Sequence, residues 1–124
     1  MIEYLSFEDL LTLVEDLVVG PVRDLGLLDS ALHRPQASVF GDDAYAGLDT
    51  KAAVLLESLV RNQALIDGNK RIGWLAMVVF YGLNEVGIEA PDDDAYDLVI
   101  AIAEGRVGYP EIAERLARWR PEPP

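Results

Sequence analysis

A chain of 124 residues, about half of them apolar, with a net charge of −12 and no cysteine, has room for one buried core and excludes disulfides and thiolate metal sites. Twenty-two acidic residues against ten lysines and arginines argue against direct nucleic-acid binding, because phosphate-backbone contact draws on a cationic surface. No basic and apolar leader opens the sequence, and its longest apolar stretch, Ile72 to Leu83, is too short to cross a bilayer and carries Gly73 and Gly82, so a cytoplasmic domain without a membrane segment is expected.

The first helix opens at Ser6, which with Asp9 three residues later reads as a capping box, and carries Phe7, Leu10, Leu11, Val14, Leu17 and Val18 on one stripe until Gly20-Pro21 ends it. From Pro21 to Asp49 the periodicity weakens. A short helix over 29–34 is stopped by Pro35, and Gly41-Asp42-Asp43 and Gly47 read as loop. A strong helix follows from Asp49 or Thr50 to Leu65, with Ala52, Val54, Leu55 and Leu59 turned inward. After Asp67-Gly68 another begins at Asn69 or Lys70 and runs to Glu85. Ile72, Trp74, Leu75, Met77, Val78, Val79, Phe80 and Leu83 make it apolar on nearly every side, which places it in the centre of a bundle.

Gly87 closes that helix, and Pro91 with three aspartates starts another, with Ala95, Leu98, Val99 and Ile102 as its stripe and Gly105 as its end. Tyr109-Pro110-Glu111 opens the last, which docks through Ile112, Leu116 and Trp119. No β-hairpin or repeat competes. The expected architecture is all-α: one compact bundle of about six helices over residues 1–120, a central apolar helix after the Asp67-Gly68 turn, and a frayed tail at 121–124.

The junction Asp67-Gly68-Asn69-Lys70-Arg71 carries the chemistry. A helix N-terminus offers unpaired backbone N–H groups and partial positive charge, so it attracts phosphate. Lys70 and Arg71 in the first turn oppose the dipole, at a cost on the order of 0.3–1 kcal/mol each unless an anion binds there. The same residues also fit a plain turn in which Asn69 caps the next helix and the two cations pair with surplus acids. A Walker-type loop is absent.

Leu59 to Arg71, read as Leu-Val-Arg-Asn-Gln-Ala-Leu-Ile-Asp-Gly-Asn-Lys-Arg, is similar to the Fic/Doc signature His-x-Phe-x-Asp/Glu-Gly/Ala-Asn-Gly/Lys-Arg, without a gap. Lys70, where adenylylating members have glycine, and Trp74, where they have a second arginine, resemble the Doc branch. The resemblance continues through residues 28–36, Lys51-Ala52-Ala53, 73–76 and Ala103-Glu104-Gly105. It implies a toxin that transfers the γ-phosphate of ATP to a threonine of elongation factor Tu and is neutralised by a Phd-type antitoxin lying in a groove. By the same resemblance Asp67 would hold Mg²⁺ on the phosphates, and Gly68, Asn69, Lys70 and Arg71 would bind them.

Two positions depart from the signature. Gln63 stands where the family has its general-base histidine, and a carboxamide accepts no proton near neutral pH; loss of a positioned base slows a reaction about 10²–10⁴-fold. A catalytically dead binding module is therefore the alternative from another class, and adenylyl transfer a third reading that Lys70 and Trp74 disfavour. Leu65 replaces phenylalanine, a milder change between two core anchors. His33, the only histidine, lies outside the motif and is read as structural or solvated; Arg34 and Gln36 fit either a partner or local packing. Trp74 and Phe80 are read as core, and Arg115, Arg118 and Arg120 as a solvated face near a helix C-terminus.

Overall fold

The computed structural model describes residues 1–121, so residues 122–124 of the expected tail lie outside the described residues. Six α-helices make up the bundle: α1 (Phe7–Asp16), α2 (Leu25–His33), α3 (Leu48–Arg61), α4 (Asn69–Leu83), α5 (Asp92–Ala103) and α6 (Tyr109–Arg118). A 3₁₀ turn over Arg34–Gln36 extends α2, and a two-stranded antiparallel ribbon, β1 (Ser38–Val39) with β2 (Asp42–Asp43), precedes α3. The all-α expectation holds, and so does the capping box, in which Ser6 Oγ accepts from the Asp9 N–H at 3.0 Å while Asp9 accepts from the Ser6 N–H at 2.9 Å.

α3 and α4 form the spine. Every residue of α3 from Lys51 to Val60 is buried, and Ile72, Ala76, Met77, Phe80 and Tyr81 of α4 lie in the same core. The two helices approach so closely that a Cβ on Gly73 would lie 2.8 Å from Val60 Cγ2 and 3.4 Å from Leu56 Cδ1. α6 closes the other side of α3 with Ile112 and Leu116 fully buried, and Trp119 meets Trp74 edge-on at 6.3 Å between ring centroids.

Several boundaries differ from the sequence reading, each for a local reason. α1 stops at Asp16, where the Val19 N–H bonds Val14 O at 3.3 Å and Val18 takes φ 54° in a Schellman-type termination. Val18 is therefore not on the inward stripe and is 88% exposed. α2 begins at Leu25 and not at Asp29, because Asp24 caps it by accepting from the Leu27 N–H at 3.0 Å. α4 ends at Leu83, where Glu85 at φ 62° turns the chain before Gly87 is reached. The segment read as plain loop at 41–43 is half of the small ribbon, whose turn residues Phe40 and Gly41 have φ 52° and 84°, the signs a tight hairpin requires.

Buried charge ties these elements together. Lys51, 1% exposed, donates to Tyr45 O at 2.7 Å and Pro35 O at 3.2 Å and pairs with Asp43 at 3.2 Å, which pins the ribbon to the start of α3. Arg34 is a packing residue: it donates to Glu57 at 2.6 Å and Ser58 at 2.9 Å and lies over the Tyr45 and Tyr109 rings. Burial works against its charge, yet Glu57 and Tyr45 outweigh that and hold its pKa above the ordinary value. Glu57 also pairs with Arg61 at 3.3 Å, and Arg61 in turn donates to Ile102 O at 2.9 Å, at the end of α5. Arg120 is exposed, as read, and also joins a clamp: Asp49 accepts from it at 3.1 Å and from the Tyr81 hydroxyl at 2.7 Å. Burial, reinforced by that bond, raises the Tyr81 pKa.

Two outcomes follow for stability. Gly73→Val forces α3 and α4 apart and should lower the free energy of unfolding by about 1–3 kcal/mol, measured by urea denaturation; an unchanged midpoint contradicts the close approach. The Ser6 backbone and hydroxyl hold the Asp9 carboxyl below its usual pKa, so its contribution is present above the unfolded carboxylate range and is lost as pH falls through the folded value. Asp9→Asn should therefore lower stability at neutral pH and cease to matter in acid, read from melting curves across pH 2–7 (about the range of carboxylate titration).

Candidate functional site

The loop between α3 and α4 spans residues 62–68, longer than the sequence suggested, because α3 ends at Arg61 and not at Leu65. Asn62 caps the helix, and Gln63 breaks it with φ 55°. A left-handed non-glycine residue costs roughly 1–2 kcal/mol and persists only where its surroundings hold it. Those surroundings are the segment that leaves α1. Gly20 N–H donates to Asp67 O at 2.9 Å, Ile66 N–H to Pro21 O at 2.9 Å, and the N–H groups of Arg23 and Asp24 to Ala64 O at 2.7 and 3.1 Å. Val22 and Leu65 form the isolated bridge at the middle of this lacing.

Inside the loop, Asn69 is the organiser. Its side chain, 8% exposed, accepts from the Leu65 N–H at 3.0 Å and donates to Leu65 O at 2.9 Å and to Gln63 Oε1 at 3.4 Å. The Asn69 carboxamide is thereby committed to the loop, and what it offers outward is its backbone N–H. Gln63 also donates through Nε2 to Val60 O at 3.2 Å, so its side chain folds back on the end of α3. Ala64 and Leu65 are buried, and Leu65 takes the anchoring place expected of it.

Gly68 has φ 93°, and a Cβ there would fall 2.5 Å from Val19. Only glycine fits between that side chain and the first turn of α4. The helix has no side-chain N-cap. Its first backbone donor with a partner is Ile72, bonded to Gly68 O at 2.9 Å; among the described residues the N–H groups of Asn69, Lys70 and Arg71 have none. Lys70 and Arg71 are both exposed, and neither makes an ion pair among the described residues. The pairing of these cations with surplus acids, which the plain-turn reading needs, does not occur among the described residues. Asp67 is exposed beside them and also without an ion pair there.

Three free amides, two uncommitted cations and a glycine that permits close approach form a receptor for an anion such as phosphate. One carboxylate suits a magnesium ion held chiefly by phosphate oxygens and water; among the described residues no group of three or more His, Cys, Asp or Glu side chains could hold a metal unaided. The residues present therefore fit an Mg²⁺-bound phosphate chain.

Lys70 and Arg71 also line a groove of about 500 Å³, together with Leu17, Trp74, Tyr96, Val99 and Ile100. Apart from the two cations its walls are almost wholly apolar, and Tyr96 is 67% exposed on its rim. Trp74, read as core, is half-buried and forms part of this wall. His33 lies apart from the site, exposed, with Nδ1 2.9 Å from Asp29 O.

Arg23 was not legible as a site residue. Its guanidinium donates through Nε to Gln63 O at 2.9 Å and through Nη2 to the same oxygen. It stands forty positions away in sequence, in the least periodic part of the chain, and nothing local marks it. The groove-lining Leu17 and Tyr96 were also missed, because the groove forms only where separate helices come together.

A sequence model described as the Fic/DOC family matches residues 4–81, the stretch that holds α1, the lacing segment, the loop and most of α4. A protein named Toxin Doc from Mycolicibacterium smegmatis (strain ATCC 700084 / mc(2)155) is 48% identical over 121 residues, which cover 94% of this chain and 93% of the relative. With residues 4–81 matched by the family model and nearly the whole length matched by this relative, the chain belongs to the Fic/DOC family.

Proposed function

We propose that this protein is a Doc-type toxin of a toxin–antitoxin pair, whose site at the start of α4 takes ATP with Mg²⁺ and transfers the γ-phosphate to a threonine hydroxyl of elongation factor Tu. The observation that carries this reading is the pair of cations, Lys70 and Arg71, left without ion-pair partners beside three free amides at the α4 N-terminus. In phosphoryl transfer the protein's work is mostly positioning and charge neutralisation, and these groups supply both. Lys70 and Arg71 would balance charge on the phosphate oxygens, the amides of residues 69–71 would orient them, and Asp67 would hold the Mg²⁺, which neutralises phosphate charge when bound. Asn69 contributes by keeping the loop in shape.

Gln63 sets the rate. It stands at the position of the signature's base, and its carboxamide, bonded to Val60 O and Asn69, takes no proton at neutral pH. The chain thus binds nucleotide and transfers slowly. The same substitution supports a second reading, a binding module that holds nucleotide or antitoxin without turnover. A toxin requires a partner that silences it, and the apolar groove fits an amphipathic antitoxin helix of Phd type, its apolar face on Leu17, Trp74, Tyr96 and Val99 and an acidic end at Lys70 and Arg71.

Two experiments test this. Purified elongation factor Tu with γ-labelled ATP and Mg²⁺ should be labelled at least about 100-fold faster by Gln63→His than by the parent chain, and Asp67→Ala in that background should abolish the signal. Label arriving from α-labelled ATP instead assigns adenylyl transfer; nucleotide binding with no transfer by Gln63→His leaves the binding module. For the groove, Tyr96→Asp should weaken calorimetrically measured binding of the cognate antitoxin by about tenfold or more, as expected for an exposed aromatic anchor, while leaving the helical circular dichroism intact; undiminished binding would place the antitoxin elsewhere.

A further inference from the structure

Residue 63 sits just past the α3 C-cap Asn62, a position where helices commonly end in the left-handed region. It is left-handed at φ 55° without being glycine, it is exposed, and α3 has already ended at Arg61. Its own carboxamide reaches back to Val60 O, and Arg23 holds its backbone from outside the loop. Both Nε and Nη2 of that guanidinium converge on the Gln63 carbonyl oxygen, and the Arg23 N–H bonds the next carbonyl, Ala64 O, at 2.7 Å. A charged fork on a single carbonyl is an uncommon use of arginine, whose donors usually meet carboxylates. Here no carboxylate competes: Arg23 makes no ion pair among the described residues, although the chain carries 22 acidic side chains.

We propose that Arg23 is a positioning residue for residue 63: by gripping the residue 63 carbonyl it holds the left-handed backbone that decides where that side chain points relative to the anion site at the α4 N-terminus. It touches neither the anion site nor the groove walls and acts only through residue 63. The backbone lacing from Gly20, Pro21 and Asp24 keeps the loop attached when the side chain is cut back, so loss of the fork changes the placement of residue 63 more than it changes folding. Without the fork, right-handed or extended conformations become the favoured ones, and the productive placement falls to about a tenth of the population.

The catalytic arm of the test rests on the phosphotransferase reading; a second arm does not. In the Gln63→His chain, Arg23→Ala should lower kcat for transfer from ATP about tenfold with KM for ATP unchanged, because the phosphate-binding groups are untouched. Arg23→Lys, which keeps the charge and loses the fork, should recover only a minor part. In a Gln63→Cys chain, Arg23→Ala should change the rate of thiol alkylation by iodoacetamide severalfold, while a control Ser30→Cys on exposed α2 alkylates at the same rate with either residue at 23. Equal thiol rates with and without Arg23 overturn the proposal, whatever the transfer assay gives. If Gln63→His transfers nothing but the thiol rates differ, Arg23 stands as the positioning residue and the phosphotransferase reading is what fails.

Discussion

The fold turns on the lacing of the α1 exit segment onto the α3–α4 loop. α3 and α4 are the two most heavily buried helices, and they meet where Gly73 leaves no room for a Cβ. Two helices held that close need a connection that reverses direction within seven residues and still presents polar groups outward. A loop of that length leaves backbone donors and acceptors unpaired unless another segment satisfies them. Residues 20–24 do so from one side, and the Asn69 carboxamide does so from the other.

That arrangement separates two jobs that the motif combines within five residues. The side chain of Asn69 and the backbone of Gly68 build the loop, Gly68 because Val19 lies where a side chain would be. Lys70, Arg71 and Asp67, free of such duties, face outward. The cost of cations near a positive helix end is thus not relieved by internal pairing among the described residues, an electrostatic condition that suits an anion. Against a net charge of −12, such a local concentration of positive charge also favours acidic ligands at this point of the surface over any other.

The backbone that positions residue 63 is fully constructed, down to the guanidinium on its carbonyl, while the side chain it presents lacks a basic nitrogen. Under the proposed phosphotransferase reading, the departure at residue 63 concerns proton transfer and not the architecture of the site. The groove beside Lys70 and Arg71 is likewise intact, with Trp74 shared between its wall and the edge-on contact with Trp119 that fastens α6.

The sequence by itself determined the helices with strong periodicity, the Ser6–Asp9 capping box, and the five-residue run from Asp67 to Arg71 at a helix start. These depend on interactions within a turn or two of the chain, so residue order suffices to specify them. Only the tertiary structure decided where α3 ends, that Arg120 is clamped to Asp49 with Tyr81, and that Arg23 grips Gln63. Each of those rests on a contact between residues distant in sequence. The left-handed Gln63 carries on its carbonyl the guanidinium of Arg23, forty positions earlier. No spacing rule encodes a partner that arrives through the packing of another segment.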